Sequence, residues 1–159
     1  MNKMYILMGS NLGESGEHLQ NAGKAINKKI GRTIRQSGVY RTAAWGKTDQ
    51  PDFLNQVIVV ETMFSALEVM KSLLGIEKDF GRIRSRRNEP RIIDLDILYY
   101  NKDIINEPGL TIPHPRITER RFVLVPLNEL SPLFKDPITH KTIHQLLRIC
   151  SDKLAVKKI

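Results

Sequence analysis

Segments with alternating or continuous apolar residues and segments with helical periodicity follow one another as strand, helix, strand, strand, helix, strand. That order predicts an α+β fold: a ferredoxin-like βαββαβ core, an antiparallel sheet with helices on one face, and a C-terminal extension. Met4 to Met8 is a short apolar run ended by Gly9, Ser10, Asn11 and Gly13, and reads as a buried strand and a turn. Leu19, Ala22, Ala25, Ile26 and Ile30 recur at helical spacing, with Gly31 placed to end that helix. Thr33 to Tyr40 reads as a second strand, Thr42 to Asp52 as a polar loop, and Phe53 to Thr62 as the third strand. Ser65 with Glu68 forms a capping box opening a helix through Leu67, Met70, Leu73, Leu74 and Glu77 toward Phe80. Gly81 to Pro90 is a basic loop, Ile92 to Tyr100 the fourth strand, and Asn101 to Asp103 a hairpin turn before Ile104 and Ile105. Beyond Pro113 the chain turns helical around Thr118 to Glu129, and Thr142 with Gln145 caps a last helix running through Cys150.

The 159 residues suit one domain, residues 1–159, with a sizeable core, and 41% hydrophobic and 26% charged residues are ordinary globular values. No repeat or low-complexity tract is present, and no apolar run approaches the ~20 residues that span a bilayer. Met1 to Met8 is too short and too soon interrupted by Gly9 to be a secretory signal. Cys150 is the one cysteine, so no internal disulfide forms, which fits a cytoplasmic location. The formal charge of +8 points to a polyanionic partner: nucleic acid, an anionic membrane or a phosphate-rich small molecule. Arg82, Arg84, Arg86, Arg87 and Arg91 crowd one segment, and Arg116, Arg120 and Arg121 form a second group.

The informative stretch is Pro90-Arg91-Ile92-Ile93-Asp94-Leu95-Asp96-Ile97-Leu98. Alternation along a strand sends Ile93, Leu95 and Ile97 toward the helix-covered core and Asp94 and Asp96 to the opposite face, roughly 6.5–7 Å apart at ~3.3 Å per residue. Two like charges that close are costly unless compensated. A solvated sheet face or pairing with the nearby arginines would supply that, and so would magnesium, which takes one or two carboxylates together with phosphate oxygens. Two such ions bracketed by this pair would clamp both oxygens of an in-line displacement. Carboxylates for metal beside arginines for phosphate is the pairing a nucleoside triphosphate site needs. No P-loop, protein-kinase motif set or Gly-x-Gly-x-x-Gly occurs, and His114, His140, His144 and Cys150 lack zinc-ligand spacing.

Gly9-Ser10-Asn11-Leu12-Gly13, Tyr40-Arg41-Thr42, Gly46, Asp49-Gln50-Pro51-Asp52-Phe53-Leu54-Asn55, Pro90-Arg91-x-x-Asp94-x-Asp96 and Pro113-His114-Pro115 together resemble the 6-hydroxymethyl-7,8-dihydropterin pyrophosphokinase family, from Met4 to about Leu130. The resemblance implies a monomer that transfers pyrophosphate from ATP to a pterin alcohol in folate synthesis, leaving AMP, without nucleic acid or membrane as partner. It implies that Asp94 and Asp96 bind two magnesium ions, with Asp96 helping to deprotonate the attacking hydroxyl. It also implies that Arg82 and Arg91 act in catalysis, and that Glu77, Arg82, Arg84, Arg87, Arg91, Ile97, His114 and Arg120 contact ATP. The pterin falls to Thr42, Ala43, Trp45, Phe53, Asn55 and Phe122, with the flat ring between the two phenylalanines. Both basic and polar loops are expected to order on ATP. Ala44 stands where many relatives have proline, Asn88 where an aromatic is common, and the basic loop is one residue short, leaving Arg86 and Arg87 as alternatives. An inactive ATP- or pterin-binding relative and an RNA-binding sheet are the competing readings. Against the second, no strand carries the aromatic pattern of an RNA-recognition sheet, and the aspartates would repel a phosphate backbone.

Overall fold

The computed structural model describes residues 1–43, 50–81 and 92–159. The central sheet runs β5 (Asp94–Tyr100), β1 (Asn2–Ser10), β4 (Phe53–Thr62), β3 (Tyr40–Thr42), β8 (Lys157–Lys158), with β2 (Arg32–Gln36) also paired to β4. The β1–β4, β1–β5, β2–β4, β3–β4 and β3–β8 pairings are all antiparallel. Helices α1 (Ser15–Lys29) and α2 (Ala66–Asp79) cover one face. This is the expected ferredoxin-like core.

Alternation along β1 and β4 builds two separate cores. Met4, Ile6, Met8, Ile58 and Val60 pack with Leu19, Ile26, Val69, Leu73 and Ile76 under the two helices. Tyr5, Leu7, Val57 and Val59 face the other way, against α3 (Arg121–Leu130) and α4 (Ile143–Ile149), through Val123, Leu124, Leu127, Ile143 and Leu146. The C-terminal extension therefore roofs part of the face that the fold alone leaves open for a ligand. The uncovered remainder is the end of the sheet where β1 stops, β4 starts and β5 starts.

Several local expectations hold. Residues Phe53–Thr62 form one strand, and both capping boxes are present, Ser65 with Glu68 and Thr142 with Gln145. Other details differ. The second strand is broken into β2 and β3, because Ser37 turns its hydroxyl onto the Gly38 carbonyl and receives the Val57 amide. Asn101 to Asp103 turns the chain but makes no hairpin with β5. The hairpin is β6 (Ile105–Glu107) with β7 (Leu110–Ile112), turned at Gly109 with φ of 78°. On α2 the buried stripe is Val69, Leu73, Ile76 and Glu77, and Leu67 and Leu74 lie exposed at its edge. Gly31 does end α1, but by close approach rather than a left-handed turn. A side chain there would collide with the carbonyl oxygen of Glu61.

Among the described residues no helix is long and apolar enough to cross a membrane.

Two glycines separate conformational cost from contact. Gly23 sits inside α1 with nothing within 4 Å of a Cβ position. Gly23→Ala is expected to stabilise the chain by about 0.5–1 kcal/mol through helix propensity. Gly31→Ala should destabilise it by roughly 1–3 kcal/mol, the scale of overpacking. Urea unfolding of the two variants checks both signs.

Candidate functional site

The site starts from register. Gly9 of β1 pairs with Asn55 of β4 on one side and with Asp94 of β5 on the other, and Asn55 pairs in turn with Tyr40 of β3. Tyr40, Asn55, Gly9 and Asp94 thus form one row across four strands at the end of the sheet, on the face α3 only partly covers. Asn55 and Asp94 stand two strand spacings apart, ~10 Å at ~4.8 Å per strand. Between them Gly9 presents no side chain. A Cβ at Gly9 would come to 2.8 Å from Asn55 Oδ1. The floor between an amide and a carboxylate is therefore bare backbone.

Asn55 is 3% exposed and donates through Nδ2 to Thr42 Oγ1 at 3.3 Å. Thr42 pairs in register with Phe53, which is half-buried on the same face of β4 as Asn55. Phe122, in the first turn of α3, is half-buried above the sheet with the Arg120 guanidinium 5.6 Å from its ring centre. Asn11 anchors the turn after β1 by donating from Nδ2 to Gln50 Oε1 at 3.0 Å and to the Pro51 carbonyl at 3.1 Å. Ala43 follows Thr42 directly at the edge of this group.

Asp94 and Asp96 are both half-buried on the face opposite Ile93, Leu95 and Ile97, which enter the core under α1 and α2. Expected alternation therefore holds. Glu77 of α2 lies behind them, 2% exposed, its carboxylate accepting the Leu95 amide at 2.7 Å. It grips the backbone between the two aspartates.

Above the pair sits Arg120. Burial, then the Arg116 charge, favours its neutral form, while Asp96 and Asp94 favour its charged form, so all these groups feel one another. Its Nε is buried with no hydrogen-bond partner among the described residues. His114 is held in place by its own amide on the Leu98 carbonyl at 3.0 Å. Its Nδ1 accepts the Arg116 amide at 3.2 Å, which leaves Nε2 to carry the proton. Burial, with Arg120 and Arg116 reinforcing it and Asp94 opposing, pushes the His114 imidazole down to about 4. It is a neutral donor at physiological pH. Beside Asp96 and His114 opens a cavity of about 310 Å³ walled by Met70, Leu73, Leu74, Ile97, Leu110 and Ile112.

The structure brings together Asp94, Asp96, Glu77, Ile97, His114 and Arg120 at the edge of β5, and Thr42, Phe53 and Asn55 at the start of β4. Trp45, Arg82, Arg84, Arg86, Arg87 and Arg91 lie outside the described residues, as do Ala44, Gly46 and Asn88 and most of both loops expected to order on ATP. Three contributions escaped the sequence reading. Arg116 fixes the His114 tautomer, and nothing in its own neighbourhood of the sequence signals that. Gly9 serves as an open floor, not only as a turn residue. Glu77 holds β5 from the buried side of α2, and its spacing four residues after Leu73 was the available signal.

A carboxylate pair, a neutral histidine donor and a guanidinium beside an apolar cavity on an α+β sheet are groups of the kind a phosphoryl-group transferase uses. The family model described as 7,8-dihydro-6-hydroxymethylpterin-pyrophosphokinase (HPPK) matches residues 5–132, and the chain belongs to that family. It is 40% identical over 141 residues to the 2-amino-4-hydroxy-6-hydroxymethyldihydropteridine pyrophosphokinase of Synechocystis sp., covering 88% of this chain and 72% of the relative. It is 42% identical over 128 residues to the Haemophilus influenzae protein of the same name, covering 80% of each. Among solved structures, Plasmodium falciparum HPPK-DHPS, a triple mutant with pteroate, superposes with a TM-score of 0.76 at 18% identity. That match covers 92% of this chain but 43% of the larger one, and shows the shared fold.

Two outcomes are expected. Glu77→Ala leaves the buried Leu95 amide without its acceptor and should cost about 1–3 kcal/mol in denaturant unfolding. For His114, a nitrogen-15 NMR titration should find the neutral Nε2–H tautomer persisting below pH 6, with protonation near 4. The unfolded imidazole protonates near 6.5, so the unfolded chain binds the extra proton first. The His114 contribution to stability is therefore whole above about 6.5 and is lost as pH falls toward 4.

Proposed function

We propose that the chain transfers the pyrophosphoryl group of ATP to the hydroxymethyl oxygen of 6-hydroxymethyl-7,8-dihydropterin, giving AMP and the pterin pyrophosphate. The observation that carries this is the cross-sheet row: an amide able to read a heterocycle edge and a carboxylate for the reacting end stand about 10 Å apart over a bare glycine. Membership of the family and the relatives' names support the same reaction.

The ring lies over Gly9 with its edge on Asn55, Thr42 and Ala43, and Phe53 and Phe122 supply aromatic faces. Trp45 belongs to the same group by resemblance. Adenine suits the apolar cavity beside Ile97, with Glu77 behind its wall, and the triphosphate then runs past His114 and Arg120 toward Asp94 and Asp96. His114 donates from Nε2 to a phosphate oxygen without adding charge of its own. Arg120 offers its Nε, without a hydrogen-bond partner among the described residues, and its fork to the transferring group. Arg82, Arg84, Arg87 and Arg91 are assigned to the same phosphates from the sequence.

The donor set fits a hard divalent cation. Asp94 and Asp96 are half-buried carboxylates on one face of an edge strand, oxygen donors of the kind such a cation takes. Magnesium held by one or two carboxylates would take phosphate oxygens and water for its remaining positions. Two magnesium ions held by Asp94 and Asp96, when bound, would polarise the phosphoryl oxygens. Asp96 accepts the hydroxymethyl proton as that oxygen bonds to the β-phosphorus. The bond from the β-phosphorus to the oxygen bridging to the α-phosphate breaks, and AMP leaves with that oxygen. No covalent enzyme intermediate is required, and positioning with electrostatic stabilisation supplies the acceleration.

Product analysis with ATP, magnesium and the pterin alcohol should give AMP and a pyrophosphorylated pterin. ADP would indicate single-phosphate transfer and overturn the reading. Asp96→Ala should lower kcat by at least ~10²-fold, and Arg120→Ala should cost about 2–4 kcal/mol of transition-state stabilisation in kcat/KM. Near-normal turnover in either variant removes that residue from the mechanism.

A further inference from the structure

At the outer end of the cross-strand row, β3 is held in an unusual way. It has three residues, Tyr40–Thr42, and ends at the threonine that binds Asn55. Because the chain breaks between β2 and β3, the Gly38 amide leaves the sheet ladder and needs another acceptor. Glu129, near the end of α3, supplies it through both carboxylate oxygens, at 3.2 and 3.3 Å. The same carboxylate accepts the Tyr40 hydroxyl at 2.6 Å and faces Lys158 Nζ at 3.5 Å. Lys158 belongs to β8, which pairs with the outer edge of β3 at Tyr40 and Arg41, and the Ile159 amide bonds the Val39 carbonyl at 3.0 Å. The Lys158 side chain lies over Gly38, in the space a Cβ there would take.

Burial opposes ionisation of Glu129, but the Tyr40 hydroxyl, the Gly38 amide and the Lys158 charge outweigh it and hold its carboxyl below the usual range. Burial, and then the bond to Glu129, pushes the Tyr40 phenol up to about 12. The carboxylate is therefore charged and the phenol protonated throughout the working range, and the hydrogen bond between them persists.

We propose that Glu129, Tyr40 and β8 form a clamp that positions the ring-reading half of the site, holding β3 against β4 so that Thr42 and Asn55 stay set for the heterocycle edge. Tyr40 stands in register beside Asn55, so a shift of β3 moves the partner of the reading amide. The nucleotide cavity is built from α2, β5 and β7, on the other side of β1 and β4. Loosening the clamp should therefore weaken one substrate and spare the other. None of the three groups touches a reacting atom, so they are positioning residues. The proposal rests on the assignment of the Asn55 side to the pterin.

The experiment measures KM for the pterin and for ATP separately, with kcat and thermal melting, for Tyr40→Phe, Glu129→Ala, Glu129→Gln and a chain shortened to residue 156. Tyr40→Phe keeps the buried ring and guards against a variant that fails to fold. The expected result is a pterin KM raised about 5- to 10-fold in Tyr40→Phe, Glu129→Ala and the shortened chain, the scale of one ordinary hydrogen bond. KM for ATP and kcat should stay within about twofold, and Glu129→Gln, which keeps an acceptor oxygen, should recover part of the loss. Pterin KM unchanged, or both KM values rising together with a lowered melting temperature, overturns the clamp. A wild-type chain that turns over no pterin overturns the functional reading instead, which the variants alone do not.

Discussion

The period of two along β5 ties stability to chemistry. Ile93, Leu95 and Ile97 must enter the core under α1 and α2, and that burial forces Asp94 and Asp96 onto the opposite face. Slipping the strand by one residue would bury two carboxylates and expose three large apolar groups, so the core itself enforces the direction of the acidic pair. Glu77 adds a second restraint by holding the Leu95 amide from behind. The site is in this sense a by-product of correct packing, and needs little local rigidity of its own.

Neighbouring strands extend the same constraint. With β5 fixed on β1 and β1 fixed on β4, the positions of Asp94, Gly9 and Asn55 follow from pairing alone. What pairing does not fix is the outer strand and the covering layer. There the extension after β5 takes over: the segment Pro113–Arg120 brings His114 and Arg120 near the acidic pair, and α3 brings Phe122 to the same face of the sheet. The two halves of the site thus depend on different parts of the chain.

Much of this could be read from the sequence. The β4 strand, both capping boxes, the order of the core elements and the outward pair on β5 follow from local period and cap chemistry. The buried place of Glu77 and the tautomer of His114 do not, since each depends on an amide brought near by tertiary structure. The break at Ser37 to Val39 escaped for the same reason, as the Ser37 hydroxyl, in place of its carbonyl, takes the Val57 amide across the sheet. The β6–β7 hairpin was misplaced because a turn-rich run after a strand suggests pairing with that strand, while Gly109 supplies the turn that pairs. For the site, matched motif blocks named the residues, and only register showed that Asn55 and Asp94 face each other across Gly9.

One irregularity in β5 has a wider meaning. Ile6 pairs with Ile97 and Tyr5 with Tyr99, so Leu98 is an extra residue bulged from the ladder, and Leu98 and Tyr99 both join the second core. The bulge resets the strand's phase midway. Upstream of it, Asp94 and Asp96 face away from the first core; at and just after it, Leu98 and Tyr99 turn to the roof of α3 and α4, and Tyr100 returns to the first core. One strand thus carries two packing phases, and the orientation of its acidic end is set apart from that of the end beneath the roof.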